Sequence, residues 1–207
     1  MSVRLISVTP DAEKTMIYIA RVSSAWQDNP DFAGLLRRCI RMGHSSVFEH
    51  AHMSVEIYTS RMISPQILRH WSARFQEFSQ RYAEVKDYEQ YEARRQDSKD
   101  RQNSIDDLSE EVKSEWRERQ HQNWLFAKAN YDWAIENHIA KECARAVLPL
   151  QTSTRLYMTM NCRDWMSFLR QRTDPSAQKE IREIAEGIKT IFTEQFPTVS
   201  EALGWPA

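Results

Sequence analysis

The sequence predicts a single α+β domain, a small antiparallel or mixed sheet flanked by helices that include one long central helix. Three observations carry this expectation. Helical periodicity occupies most of the chain, only two segments alternate cleanly with the period of a strand, and an uninterrupted helical pattern from Ile105 to Asn137 bears Trp116, Trp124 and Trp133. At 207 residues the chain is long enough to bury a sizeable core, and one domain over residues 1–207 is expected.

Taken in order, Arg4 to Val8 reads as a short first strand. Thr9-Pro10-Asp11 then places an N-cap, a proline at the first helical position and an acid in the first turn, opening a helix to about Val22. Asn29-Pro30-Asp31 repeats that signal before Phe32, Leu35, Leu36, Cys39 and Ile40, and Gly43 stops the helix. From His50 to Ile57, Ala51, Met53, Val55 and Ile57 alternate with His50, His52, Ser54 and Glu56, the pattern of a half-buried strand. Ser64-Pro65 starts a short helix, and the polar stretch Tyr88 to Ser104 is the best candidate for a mobile loop. A helix over Ile139 to Val147 is ended by Pro149, after which Leu156, Met158 and Met160 alternate with Arg155, Tyr157 and Thr159 as the second clear strand. Asn161 to Arg172 and Ser176 to Phe196 close the chain as helices, the last amphipathic through Ile181, Ile184, Ala185, Ile188, Ile191 and Phe192.

A formal net charge of −1 removes the global basic field that drives nonspecific nucleic-acid binding, so any anion site must be local. From Lys141 to Arg172 six cations face two anions, a net of +4, and an RNA-binding surface on that stretch is the reading from a different class. Lys86 to Arg119 carries a net of −3 and reads as solvated helix surface. Cys39, Cys143 and Cys162 show no CxxC or zinc spacing, which fits structural thiols in a reducing cytoplasm, and no apolar run approaches the roughly 18 residues of a membrane span. His44, His50 and His52 lack the further ligands a zinc site requires, so no metal is expected. The four glycines, Gly34, Gly43, Gly187 and Gly204, leave no dinucleotide fingerprint or P-loop, so a dinucleotide would have to be gripped by side chains such as Ser46, Arg69, Asn161 and Arg163.

Chemistry concentrates in Arg69 to Tyr82, where three arginines, a histidine, a glutamate and two serines fall in fourteen positions. Gln66, Arg69 and His70 are spaced to share one face of the short helix, and Glu77, Ser79 and Arg81 to share one side of the extended stretch after it, with Phe78, Gln80 and Tyr82 on the other. Arg172 follows Trp165, Phe168 and Leu169 on the apolar face of its helix, where a guanidinium needs a carboxylate or an anionic ligand. Asn161 can cap the helix that begins Cys162-Arg163-Asp164, bringing free N–H groups and a cation to one place.

The stretch resembles the signature of flavin-dependent thymidylate synthases, Arg-His-Arg-x-x-Ser-x-Asn-Glu-x-Ser-x-Arg-Tyr, at Arg69, His70, Glu77, Ser79, Arg81 and Tyr82; it departs at Trp71, Arg74 and Gln76. Further motifs in the family's order are Ala20-Arg21-Val22-Ser23, Gly43-His44-x-x-x-Phe48-Glu49-His50, Ala144-Arg145-x-Val147-Leu148-Pro149 and Asn161-x-Arg163-x5-Leu169-x-x-Arg172. The resemblance implies synthesis of dTMP from dUMP, with the carbon taken from methylenetetrahydrofolate and a hydride delivered through FAD from NADPH. It also implies a cytoplasmic homotetramer whose active sites are shared between subunits. By position it implies a dUMP site at Gln66, Arg69, Glu77, Phe78, Ser79, Gln80, Arg81, Arg145 and Arg172, with Arg172 activating the pyrimidine. The implied FAD site is Ser46, Arg69, His70, Trp71, Glu77, Asn161, Arg163 and Ser167. Trp71 and Arg74 in place of arginine and serine make a catalytically impaired dUMP-binding homologue the alternative expectation.

Overall fold

The structure, a computed structural model, describes residues 1–205. Four strands, β1 (Ser2–Val8), β2 (His52–Ser60), β3 (Arg74–Glu77) and β6 (Ser153–Asn161), form an antiparallel sheet in the order β1-β2-β6-β3. Between them in the chain, β4 (Arg95–Gln96) and β5 (Ser104–Ile105) pair as a separate antiparallel ladder. The expected alternation is present. Met53, Val55 and Ile57 of β2 and Leu156, Met158 and Met160 of β6 are buried, while the residues between them reach solvent. The register of β2 on β6 shows in the Ser54 and Thr159 hydroxyls, 2.7 Å apart, and in the Tyr157 hydroxyl donating to Glu56 at 2.7 Å.

Contacts divide the chain into two compact units. One comprises Ser2–Ile57, Leu68–Gln76 and the chain from Tyr157 onward. Its helices are α1 (Ala12–Ala20), α2 (Ala33–Met42), α6 (Cys162–Arg172), α7 (Lys179–Gln195) and α8 (Pro197–Ala202). Helix α7 buries Ile181, Ile184, Ala185, Ile188 and Phe192 and lies against β1, where Gly187 permits the approach: a Cβ at that position would stand 2.7 Å from Val3 Cγ2. Trp165 of α6 is wholly buried and donates its indole N–H to the Met53 carbonyl at 3.0 Å, tying that helix to β2.

The other unit comprises Met1, Tyr58–Ile67 and Glu77–Leu156. It holds the long helix α4 (Glu110–Glu136), α5 (Lys141–Ala144) and a 3-10 turn over Arg145–Val147, with most of the short helix α3 (Ser64–Leu68). Ser109 caps α4, and Tyr131, Ala134 and Ala144 form a small core with Ile135 and Leu148 packed against it.

Several local expectations are corrected. Helix α1 starts at Ala12 with Asp11 in a left-handed conformation and no side-chain cap, because the Thr9 hydroxyl is engaged by the His52 N–H at 2.9 Å. Pro149 does not end one helix; α5 and the 3-10 turn stand in its place. A final helix, α8, begins at Pro197, beyond the amphipathic pattern. The polar stretch from Tyr88 to Ser104 is tied to α4 rather than loose. Tyr88 stacks on Trp124 with centroids 5.0 Å apart, and Gln120 exchanges two hydrogen bonds with the Tyr91 backbone, at 2.9 and 2.8 Å.

Trp165→Phe should lower stability by about 2 kcal/mol, through lost volume and the lost bond to the Met53 carbonyl. A urea titration followed by circular dichroism checks this, and an unchanged midpoint would show that the indole does not fasten α6.

Candidate active site

In the unit that contains Glu77–Leu156, the site residues are arranged by one carboxylate. Glu77 ends β3, accepts the Thr154 hydroxyl at 3.0 Å through Oε1, and pairs through Oε2 with Arg61 at 2.7 Å. Arg61 also donates to the Phe78 carbonyl at 2.7 Å, and the Phe78 N–H donates to the Arg155 carbonyl at 2.8 Å. The chain leaving β3 is thereby strapped to its neighbours on both sides. It does not stay extended. The Tyr82 and Ala83 N–H groups both donate to the Ser79 carbonyl at 3.1 Å, so the two-residue period fails after Glu77: Gln80 is buried, while Arg81 and Tyr82 are exposed.

Arg81 places Nε at 3.0 Å and Nη2 at 2.9 Å from the same Glu142 oxygen. Arg145, one turn further along, donates to the Glu142 carbonyl at 3.3 Å. Arg61, Gln80, Glu142 and Arg145 line a cleft of about 550 Å³ whose apolar wall is Ala146, Leu148, Pro149 and Leu150. A cleft lined by both apolar residues and guanidinium groups suits a planar, anionic small molecule. Gln66, half-buried on α3, belongs to the same unit.

The second unit gathers Arg69, His70, Trp71, Arg163, Ser167 and Arg172. Helix α3 ends at Leu68, so Arg69 and His70 do not share a helix face with Gln66; a five-residue helix is too short to persist through them. His70 instead packs edge-on to Phe168, with centroids 5.3 Å apart. Burial lowers its pKa, opposed by Asp164 and aided by a smaller effect of Arg172. Arg172 is half-buried on the face of α6 that also buries Trp165, Phe168 and Leu169, as the spacing predicts. Burial first and the Arg69 charge second press its pKa below the usual guanidinium value. Two like charges near each other, one of them partly buried, favour an anion.

Asn161 caps α6 by accepting the Asp164 N–H at 2.8 Å. The Cys162 N–H, however, is engaged by the Ala51 carbonyl at 2.8 Å, so the helix start offers fewer open donors than its sequence suggests. Arg163 beside it is paired with Glu49, while Ser46 and Ser167 are exposed. Burial raises the pKa of both Cys39 and Cys162, which makes them poor nucleophiles. Of the six cations in the +4 segment, Arg145, Arg155 and Arg170 are exposed. Lys141 lies 3.8 Å from Glu84, Arg163 is paired and Arg172 is half-buried.

Sequence reading missed Arg61, Thr154, Glu142 and Glu49, the partners that orient the recognised residues. Glu142 left a trace, three residues before Arg145, and Glu49 lies in a family motif; Arg61 and Thr154 are brought in by strand pairing and side-chain contacts across the chain.

The family profile described as "Thymidylate synthase complementing protein" matches residues 4–198. A flavin-dependent thymidylate synthase of Synechocystis sp. is 48% identical over 99% of this chain and 100% of its own length. A probable flavin-dependent thymidylate synthase of Paramecium bursaria Chlorella virus 1 is 43% identical, with 99% of this chain and 100% of its own length covered. Among solved structures, the UMP/dUMP methylase PolB from Streptomyces cacaoi bound with 5-Br dUMP superposes with a TM-score of 0.86 at 28% identity, covering 99% of this chain and 95% of its own.

Because the folded state resists protonating His70, the unfolded state binds more protons as pH falls below the ordinary imidazole value of about 6.5. His70 therefore costs stability on the acid side, and stability returns as pH rises towards neutrality. Unfolding free energies of His70→Gln measured between about pH 4.5 and 7 should show a shallower acid slope than the unaltered protein. Identical slopes would mean that the imidazole is not desolvated.

Proposed function

The chain belongs to the flavin-dependent thymidylate synthase family, and on that premise we propose that it makes dTMP from dUMP, drawing the carbon from methylenetetrahydrofolate and a hydride from NADPH through FAD. The observation that carries this reading is Arg172, a half-buried cation on an apolar helix face with Arg69 pressing on it. A guanidinium hydrogen-bonded to a pyrimidine stabilises negative charge on the ring, which makes C5 nucleophilic without a cysteine adduct. That is the catalytic role assigned to Arg172. The raised thiol pKa values of Cys39 and Cys162 agree with it.

For dUMP, Arg81 and Ser79 supply charge and a hydroxyl for the phosphate, and Arg145 and Gln80 border the cleft in which the nucleotide is proposed to lie. Gln66 and Phe78 complete that set on the Glu77–Leu156 side, and the proposed dUMP residues also include Arg69 and Arg172. Glu77 acts largely by holding Arg61 and the Phe78 backbone. The residues present fit a flavin: Arg69, His70 and Trp71 are consecutive, with Trp71 89% exposed and able to stack on a planar ring, and Arg163, on exchanging Glu49, could meet a diphosphate. Ser46, Asn161 and Ser167 are the remaining flavin candidates, and Glu77 is assigned to both ligands. When bound, the flavin supplies the hydride chemistry; the protein's part is orientation and charge. One functional domain over residues 1–207, a cytoplasmic location and a homotetramer with active sites drawing on neighbouring copies belong to the same proposal. No helix among the described residues is long and apolar enough to cross a membrane.

Purified protein should show flavin absorbance and form dTMP when given dUMP, methylenetetrahydrofolate, FAD and NADPH; failure of both overturns the reading. Arg172→Ala should keep its melting temperature and lose turnover by about 10²- to 10³-fold, the scale for one removed charge-stabilising donor. A second reading, a dUMP-binding homologue impaired at the flavin, is favoured by Trp71 standing where the family signature has arginine. Under the enzyme reading, Trp71→Arg leaves turnover within about threefold of the original, roughly the effect of changing one exposed contact. A large gain in FAD binding and turnover would favour the impaired homologue.

A further inference from the structure

The Arg81 guanidinium, read above as the phosphate ligand, already meets an anion of the protein's own. Its Nε and Nη2 both point at one oxygen of Glu142, at 3.0 and 2.9 Å, which is the edge a phosphate oxygen would take. Both side chains are about half exposed, at 54% and 51%, so the bridge is weak enough to be exchanged. Glu142 also lines the cleft beside Arg145, whose own side chain donates only to a backbone carbonyl there. Arg61, the other cation lining that cleft, is held by Glu77. Glu142 is thus the one carboxylate among the residues lining that cleft, set against the cation on which a phosphate depends.

We propose that Glu142 competes with the nucleotide phosphate for the Arg81 guanidinium, and so sets the affinity for phosphorylated ligands. The carboxylate carries one negative charge and a phosphate monoester between about 1.5 and 2, so the nucleotide wins the exchange at the cost of releasing Glu142. The carboxylate then remains beside the bound phosphate and repels it. Both effects weaken phosphate binding, and neither touches a ligand without a phosphate. This inference rests on the reading of Arg81 as a phosphate ligand.

The test is calorimetric binding of dUMP, inorganic phosphate and deoxyuridine to the flavin-loaded protein. In Glu142→Gln, dUMP should bind about two- to fivefold tighter, the range expected from one exposed ion pair, and phosphate should tighten by a similar factor while deoxyuridine is unchanged. Glu142→Asp, which keeps the charge on a shorter arm, should fall between. If Glu142→Gln binds dUMP equally or more weakly while Arg81→Ala weakens it, the competition is overturned and the phosphate site stands. An equal gain for deoxyuridine also overturns it. If Arg81→Ala leaves dUMP affinity untouched, the phosphate site itself is wrong and the inference falls with it.

Discussion

A guanidinium cannot shed its proton to escape burial, so every arginine brought out of water in this protein must be met by an anion or must select one. That constraint organises the chemistry. Arg61, about three-quarters covered, is met by Glu77, and the half-exposed Arg81 and Arg163 are paired with Glu142 and Glu49, three carboxylates from separate parts of the chain. At Arg172, burial and the neighbouring Arg69 both disfavour the charge, and the helix face that carries it is apolar. Pairing with a carboxylate fixes the first three in place.

The fold delivers these groups through ordinary strand and helix rules. Alternation in β6 sends Leu156, Met158 and Met160 into the core and leaves the intervening side chains to make polar contacts, Thr159 with Ser54 and Tyr157 with Glu56. The strand then ends at Asn161, which caps α6 directly, so no loop intervenes between the end of the sheet and the helix that carries Arg163, Ser167 and Arg172. On the β3 side, Glu77 is held by Thr154 and Arg61 together, which limits the freedom of the turn bearing Ser79, Gln80 and Arg81.

The three departures from the family signature are all at the surface. Trp71, Arg74 and Gln76 are exposed, whereas the matching Glu77 and Ser79 are partly buried. Being exposed, none of the three is part of the buried core. An indole offers a π-face where the signature has a charge-bearing fork, which trades a directional hydrogen bond for stacking area.

Periodicity alone located the two clear strands, the long helix and the amphipathic last helix, because burial of one face imposes a repeat that survives in any single chain. It also placed Arg172 on an apolar face, and the motif order identified the family. What the sequence could not determine was partnership. Nothing local signals that Thr9 serves β2 instead of capping α1, that Gln120 satisfies the Tyr91 backbone, or that the extended reading stops at Glu77 and turns at Ser79. The Thr9 and Gln120 contacts join residues far apart in number, and a hydrogen bond or an ion pair leaves no period behind. Only the tertiary structure decided which anion each guanidinium meets, because that choice depends on distances that folding creates.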